Sequence, residues 1–235
     1  MKHEGIARRA AIKLIVATLL VAVGLGVAGL VFVLIGLLAH FIAWILLALA
    51  IFLGVVWVLF AVFTIYFFRD PTARTPTGPN LVVSPGHGKV DAIEQISETQ
   101  FMGGPCHRVS TFLSVINVHV QNAPVAGKVA LLQHAGGEFL SALKAESGLR
   151  NENVLLGFES TESPGEKIGV RLIAGVLARR IVPFVALGDE TRRGDRMSLI
   201  QFGSRCDLYL PLHYRIQVKL GDKVVGGETV MASKS

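Results

Sequence analysis

An uncharged segment near the N-terminus constrains this chain more than any other feature. Residues 14–68 contain no Asp, Glu, Lys or Arg over 55 positions, and nearly all of them are apolar. About 20 apolar residues are enough for a helix to cross a bilayer, so the segment has room for two spans. We place these spans at about residues 12–38 and 41–67, with Gly36 and His40 near a tight turn. The sequence therefore predicts a transmembrane helical hairpin.

The charges on either side of this hairpin predict its orientation. Basic residues flank both ends: Lys2, Arg8, Arg9 and Lys13 before it, and Arg69 and Arg74 after it. Because Lys and Arg are enriched on the cytoplasmic side of membrane proteins, we expect both ends in the cytoplasm, at the inner cell membrane. The chain then divides into a basic N-terminus (1–13), the hairpin (14–68), a linker (69–80) and a cytoplasmic domain (81–235).

Charge and cysteine content argue against several classes of function. The net charge of +6 suits an anionic membrane surface, and no basic, aromatic-rich motif supports binding to nucleic acid. Cys106 and Cys206 are far apart in a domain expected in the cytoplasm, so we expect reduced thiols. No Cys-x-x-Cys or His-Glu-x-x-His spacing is present, and we predict no metal site.

Two repeated patterns organise the polar part of the chain. Pro-x-x-Gly-Lys-Val occurs at residues 85–90 and again at 124–129. Gly-Asp, followed by four residues and Gly-Asp, occurs at 188–195 and is echoed at 221–228, where Glu replaces the last Asp. The repeats predict a mainly β, pseudo-symmetric sandwich or barrel-like domain with glycine-turned hairpins. Coincidence among glycine-rich turns is the alternative.

The composition of four further segments predicts individual elements. Residues 108–120 are rich in β-branched and aromatic side chains and predict a strand, as do residues 167–180. Apolar spacing within residues 136–148 permits one short helix. Residues 181–187 predict an edge or bulged strand, because Pro183 cannot donate a ladder hydrogen bond.

The pair Gly203-Ser204 lies where two apolar-alternating runs meet, within residues 199–211. Glycine leaves the carbonyl accessible on one side, which is what attack by a serine hydroxyl on the preceding carbonyl requires. Such an attack gives an ester, and elimination from that ester converts the serine into a pyruvoyl group at a new chain start. A pyruvoyl ketone can form a Schiff base with a substrate amine and withdraw electrons. Gly-Ser is nevertheless common in ordinary turns, so the dipeptide alone proves little.

Three other polar positions interrupt apolar or glycine-rich runs. An imidazole at His119 could transfer protons near neutral pH, although a strand histidine with a structural hydrogen bond is the alternative. His87 lies in a Gly-His-Gly turn, where it could approach a ligand or simply be exposed. Arg179 and Arg180 could bind phosphate or carboxylate, or form a solvated strand end.

Taken in order, several motifs resemble the short, bacterial and archaeal type of phosphatidylserine decarboxylase proenzyme almost end to end. The motifs are Phe-Phe-Arg-Asp-Pro at 67–71, Phe-Leu-Ser-Val-Ile-Asn-Val-His-Val at 112–120, Ala-Pro-Val-Ala-Gly-Lys-Val at 123–129, Ile-Ala-Gly at 173–175 with Ala-Arg-Arg-Ile-Val at 178–182, and Phe-Gly-Ser-Arg at 202–205. Together they are specific, whereas the Gly-Ser pair alone was not.

This resemblance implies a function and a cofactor. It implies self-cleavage between Gly203 and Ser204 into chains of 203 and 32 residues, with Ser204 becoming the pyruvoyl cofactor. The implied substrate is phosphatidylserine in the membrane, converted to phosphatidylethanolamine and CO₂. His119 matches the family's catalytic histidine and would handle the proton that replaces the carboxylate. The resemblance leaves the oligomeric state open, with a homodimer as one expectation.

Two departures from the family pattern bear on maturation. Gly86-His87-Gly88 stands where the family usually has Ala-Asp-Gly, so the acidic member of the presumed self-cleavage triad is absent. We expect either His87 to deprotonate Ser204 directly or Asp91 to take the acid's part. Asn122 stands where the longer type of the family has a second histidine, as the short type allows.

Three alternatives follow from the same residues. The first is an unprocessed, non-catalytic homologue that binds phospholipid headgroups or acts as a membrane-anchored scaffold. The second is a metal-dependent site that uses residues from the group His87, His107, His119 and Cys106. The third is a pyruvoyl decarboxylase for another serine-headed lipid, such as an archaeal ether lipid.

Overall fold

The structure is a computed structural model that describes residues 6–138, 150–175, 180–201 and 204–234. The chain divides into two compact units between Val62 and Phe63. The first unit is helical and the second is mainly β.

A single continuous helix, α1, runs from Ile6 to Phe67. The prediction of two helices joined by a tight turn is wrong, because Gly36 and His40 lie inside one continuous helix. The segment contains no proline, and each of its separate glycines costs a helix only about 1 kcal/mol, so no single residue in it forces a break. Within the described part of the chain, α1 is the one helix long and apolar enough to cross a membrane, over Ile12–Phe67.

The second unit contains fourteen strands among the described residues. They are β1 (Leu81–Val83), β2 (Gly88–Glu98), β3 (Gly104–Leu113), β4 (Val120–Asn122), β5 (Gly127–Ala135), β6 (Asn153–Ser160), β7 (Lys167–Ala174), β8 (Ile181–Pro183), β9 (Glu190–Thr191), β10 (Arg196–Ile200), β11 (Ser204–Pro211), β12 (Tyr214–Ile216), β13 (Lys223–Val224) and β14 (Val230–Lys234). The predicted mainly β architecture is confirmed.

These strands form one large sheet and two small ones. The large sheet is curled into a half-barrel with the order β13-β2-β3-β11-β7-β6-β5-β9. The small sheets have the orders β1-β14-β12 and β4-β10-β8. β11 and β7 pair at the centre of the large sheet, and all of its ladders are antiparallel.

Matching hydrogen bonds relate the two halves of this domain. The Val83 amide donates to the Pro124 carbonyl, and the Asn122 amide donates to the Pro85 carbonyl, each over 2.9 Å. Each repeat of Pro-x-x-Gly-Lys-Val thus follows a short strand and bonds to the other repeat. The repeats at 85–90 and 124–129 therefore mark equivalent positions in a pseudo-symmetric domain, as the sequence predicts.

The glycines of the second repeated pattern share one backbone conformation. Gly188, Gly194, Gly221 and Gly227 have φ values of 95°, 86°, 92° and 74°. Side chains disfavour this left-handed region, so the conformation accounts for glycine at all four positions. The Gly221 amide donates to Val90, and the Gly188 amide donates to Val129 in the matching place, each over 2.8 Å.

The predicted strand at 108–120 is too long. β3 ends at Leu113, and a turn follows because the Asn117 side chain accepts hydrogen bonds from the amide and the hydroxyl of Ser114, at 2.9 and 2.7 Å. Asn side chains that bond to nearby backbone compete with the strand ladder. His119 consequently lies between strands rather than within one.

The remaining predicted elements have mixed outcomes. β7 ends at Ala174, short of the predicted end at 180, and residues 176–179 lie outside the described residues. β8 ends at Pro183 and is an edge strand of its sheet, which confirms the predicted edge position. Most of the predicted helix within 136–148 also lies outside the described residues, from residue 139 onwards.

Candidate active site

Ser204 is the first residue of β11, at the centre of the large sheet. It pairs with Leu113 on β3 and with Ala174 on β7. The side chain is fully buried, and its Oγ has no hydrogen-bond partner among the described residues. A buried hydroxyl without a partner costs about 1–3 kcal/mol, so the fold holds a polar group here at a penalty. Phe202 and Gly203, which precede it, lie outside the described residues.

Successive residues of β11 point to opposite faces of the sheet. Leu208 belongs to the main core together with Cys206, whereas Tyr209 packs in a second, smaller core. Ser204 therefore faces the main core, and Arg205 faces the other side. Both faces are buried, because every residue from 204 to 210 is buried.

Arg205 holds two carboxylates on the face opposite Ser204. Its Nη1 lies 3.2 Å from Asp91 Oδ2, and its Nε donates to Asp207 Oδ1 over 3.0 Å. Burial raises the pKa of Asp91, and the charge of Arg205 acts in the opposite direction. The structure therefore pairs Asp91 with Arg205 and does not bring it within hydrogen-bond distance of the Ser204 hydroxyl.

His119 is completely buried just before β4. Its Nδ1 lies 2.9 Å from the carbonyl oxygen of Asn117, and its ring stacks on Phe67 at a centroid distance of 4.3 Å. A carbonyl oxygen can only accept a hydrogen bond, so Nδ1 carries the proton in the neutral ring. This tautomer leaves Nε2 as the nitrogen that can accept a proton.

The surroundings of His119 keep its imidazole neutral. Burial lowers its pKa to about 4, the hydrogen bond to the Asn117 carbonyl opposes this shift, and the charges of Arg69 and His87 add to it. A neutral imidazole near pH 7 is a proton acceptor. The environment thus fits the predicted role in proton transfer.

His87 lies in the loop between β1 and β2, and its ring packs against Gly226. A Cβ atom placed on Gly226 would lie 2.9 Å from His87 Cδ2 and Nε2. Burial lowers the pKa of His87, the charges of Glu228 and Asp70 oppose this shift, and that of Arg69 adds to it. His87 and His119 are thus both held neutral, and a charge on His87 would lower the pKa of His119 further.

The loop that carries His87 lies against the start of β11. A Cβ atom on Gly86 would contact Leu113 Cδ1 at 3.4 Å and Cys206 Cβ at 3.6 Å. A Cβ atom on Gly88 would overlap the Phe112 carbonyl oxygen, so this close approach requires glycine. The loop therefore reaches the strand neighbours of Ser204, although neither imidazole hydrogen-bonds to its Oγ.

Sequence reasoning assigned no role in the active site to Phe67 or Arg69. The Arg69 guanidinium donates to the Tyr66 carbonyl over 2.8 Å and to the Ile116 carbonyl over 2.7 Å. Arg69 thereby joins the end of α1 to the turn before His119. The only available signal was their position at the end of the apolar segment, within the Phe-Phe-Arg-Asp-Pro motif.

His107 and Cys106 lie apart from this cluster, because they pair with Leu210 and Pro211 at the other end of β11. His107 contacts the Leu212 carbonyl at the far end of β3, and Cys106 and Cys206 are buried free thiols. Among the described residues, no group of three or more His, Cys, Asp or Glu side chains could hold a metal ion. Arg180 is exposed, and Arg179 lies outside the described residues.

Asn122 fills the place where the longer type of the family has a second histidine. Its Nδ2 donates to the Gly194 carbonyl over 2.8 Å, and its amide side chain lies beside Gly226 and Gly227. Asn122 therefore supports the loop against which the ring of His87 packs.

Comparison with known proteins gives consistent matches. The phosphatidylserine decarboxylase family profile matches residues 60–232. The phosphatidylserine decarboxylase proenzyme of Desulfotalea psychrophila is 42% identical over 75% of this chain and 81% of its own length. That of Symbiobacterium thermophilum is 42% identical over 76% and 82%, and that of Ehrlichia chaffeensis is 38% identical over 87% and 88%. The matched region includes Ser204, His119 and His87.

Proposed function

Because this chain belongs to the phosphatidylserine decarboxylase family, we propose that it converts phosphatidylserine to phosphatidylethanolamine and CO₂ with a pyruvoyl group derived from Ser204. The chain would mature by cleaving itself between Gly203 and Ser204. One observation supports the proposal beyond the family match: the buried Ser204 hydroxyl, at the start of the central strand, has no hydrogen-bond partner among the described residues.

The residues around Ser204 fit a pyruvoyl group. Cleavage before Ser204 would leave a new chain start held between Leu113 and Ala174 by the ladders of β3 and β7. The Ser204 Oγ, which has no partner among the described residues, is the nucleophile that such processing consumes. This role accounts for a buried polar group that lowers the stability of the fold. When present, a pyruvoyl group supplies a ketone that binds an amine and withdraws electrons from the neighbouring carbon.

His119 would manage the protons of the reaction. The substrate amine is an ammonium ion near pH 7 and must lose a proton before it reacts with a ketone. The Nε2 of neutral His119 can accept that proton while Nδ1 stays bonded to the Asn117 carbonyl. The resulting imidazolium is strongly acidic in this buried position, so it can give a proton to the carbon that has lost CO₂. The reaction consumes one proton for each CO₂ released.

His87 is the candidate base for maturation. Self-cleavage requires removal of the Ser204 hydroxyl proton, and His87 is held neutral beside the strand neighbours of Ser204. Asp91 is less suited to this role, because Arg205 holds it on the other face of the sheet.

The two chains would remain together after cleavage. The shorter chain would contain β11–β14, which pair with β1, β2, β3 and β7 of the longer chain. The new chain start would therefore stay in the centre of the sheet, beside the loop that carries His87.

Membrane association would bring the enzyme to its lipid substrate. The apolar part of α1, Ile12–Phe67, is long enough to enter a bilayer, and the first charged residue after it is Arg69. Arg69 and Arg74, which follow the apolar segment, would favour contact between the β domain and the anionic cytoplasmic surface of the inner membrane.

A second candidate function is a non-catalytic, unprocessed homologue that binds phospholipid headgroups. One observation favours it: His87 stands in place of the family's acid. The distinguishing property is whether the protein releases CO₂ at all.

The experiment that tests the proposed function is CO₂ release from vesicles containing phosphatidylserine labelled in the serine carboxylate. We expect release by the full-length protein and none by Ser204→Ala. Ser110→Ala is a matched control, because Ser110 is also fully buried and its Oγ also has no partner in the described part of the chain, yet it lies beside Asp207 on the other face of the sheet. Release by Ser204→Ala would contradict the proposal, and no release by the wild type would favour the non-catalytic homologue.

A further inference from the structure

The last residue of α1, Phe67, is fully buried and lies face to face with His119. Their ring centroids are 4.3 Å apart, and the ring planes differ by 30°. Both side chains are 0% exposed, and both belong to the unit Phe63–Ser235. One face of the candidate catalytic imidazole is therefore covered by the residue with which the apolar helix ends.

Arg69 makes a second link between this helix end and His119. It donates to the carbonyls of Tyr66 and Ile116, and its guanidinium lies over the Tyr66 ring at 3.9 Å from the centroid. Ile116 is inside the turn between β3 and His119. The helix end thus contacts the His119 imidazole through Phe67. Through Arg69, it also contacts the backbone that carries this imidazole.

These contacts act on His119 in two ways. The Phe67 ring and the Asn117 carbonyl together fix the orientation of the imidazole and hence the direction of Nε2. The Phe67 ring also excludes water from one face, which disfavours the protonated form. Among the described residues, Arg69 and His87 are the charged or titratable groups that shift the pKa of the imidazole; both disfavour its protonation further, whereas the Asn117 carbonyl favours it.

We propose that Phe67 is a positioning residue for His119 and that Arg69 fixes the turn that carries it, so that the end of the apolar helix forms one wall of the active site. The catalytic part of this inference rests on the proposed function, whereas the structural part does not. Phe67 and Arg69, which lie at the boundary between the apolar segment and the polar domain, would thus both have a role in the reaction.

The test compares Phe67→Leu with Phe63→Leu in the full-length protein in lipid nanodiscs. Phe63 is a suitable control because it packs near Phe67, with ring centroids 6.0 Å apart, and loses the same ring in the same substitution. Titration of His119 by NMR, assigned with His119→Gln, is the first readout. We expect the midpoint to rise from about 4 toward 6.5 in Phe67→Leu, and to stay near the wild-type value in Phe63→Leu and in Phe67→Tyr, which retains the ring.

CO₂ release is the second readout. We expect kcat of Phe67→Leu to fall by roughly tenfold to a hundredfold with KM little changed, because misplacement of a proton-transfer group affects the chemical step. Arg69→Lys keeps the charge outside the core but cannot donate to both carbonyls in the same geometry, so it should lower kcat even if Phe67→Leu folds poorly.

The outcomes separate this inference from the proposed function. An unchanged His119 midpoint in Phe67→Leu, with kcat also unchanged, would overturn the positioning role. A shifted midpoint in a protein that never releases CO₂ would support the contact and contradict only the proposed function. Equal effects of Phe63→Leu and Phe67→Leu on both readouts would mean that general packing, not the stacked ring, is responsible.

Discussion

Ser204 pairs directly with Ala174 across the central contact of the eight-stranded sheet. Ser204 begins β11 and Ala174 ends β7. On its other side, Ser204 pairs with Leu113 of β3. A chain break just before Ser204 would therefore not remove any ladder in which Ser204 takes part. The centre of the sheet can thus hold a processed chain start in a fixed position.

This pairing predicts that the cleaved protein stays in one piece. Antiparallel ladders join β11 to both of its neighbours over at least six residue pairs each, so the two chains should not separate under native conditions. Size-exclusion chromatography of processed protein in detergent should show one species that contains both chains, which separate only in denaturant. Dissociation of the shorter chain without denaturant would contradict this prediction.

Substitution of His119 should separate catalysis from maturation. We expect His119→Gln to lower the rate of CO₂ release by about 10²–10⁴-fold, the usual contribution of a positioned acid or base, while self-cleavage continues. His107→Gln is the matched control. His107 lies on β3, where it pairs with Leu210 and is far from the end of β3 that pairs with Ser204. Loss of self-cleavage in His119→Gln would place this residue in maturation instead.

Buried His119 should also make stability depend on pH. Its pKa is about 4 in the folded protein and near 6.5 when unfolded, so the unfolded chain binds more protons between these values. Its contribution to stability is present above pH 6.5 and is lost as the pH falls toward 4. The urea midpoint should therefore fall between pH 7 and pH 5, and fall less in His119→Gln. An identical fall in both proteins would mean that other groups are responsible.

Residue 87 should control the rate of self-cleavage. If neutral His87 removes the Ser204 proton, His87→Asn should slow cleavage, because Asn is similar in size but cannot act as a base. His87→Asp restores the acidic group of the family pattern and should cleave at least as fast as the wild type. The fraction cleaved over time, measured on gels during cell-free synthesis, checks both expectations. Equal rates in the Asn variant and the wild type would exclude His87 as the base.

The symmetry of the domain was predictable from sequence because it rests on local backbone chemistry. Gly188 and Gly221 occupy the same left-handed conformation in matching turns, and only glycine adopts it readily. The repeat spacing therefore carried the information directly. The edge position of β8 was predictable for a similar local reason, since Pro183 cannot donate to a neighbouring strand.

Three features of the structure were not predicted from the sequence: the turn at Asn117, the continuous helix and the stack of Phe67 on His119. The turn at Asn117 interrupts a run that is rich in strand-favouring side chains, because the Asn117 side chain bonds to Ser114. The continuous helix through Gly36 reflects the absence of any residue that forces a break. The stack of Phe67 on His119 joins residues 52 positions apart, and the sequence gives only the two motifs, not their contact.

The most direct test of the account is the intact mass of the purified full-length protein, measured beside Ser204→Ala. The account predicts two chains, of 203 and 32 residues, with the shorter one blocked by a pyruvoyl group, and only the uncut 25.2 kDa chain in the variant. A single uncut mass in both proteins would contradict it, because Ser204 would then never become a cofactor.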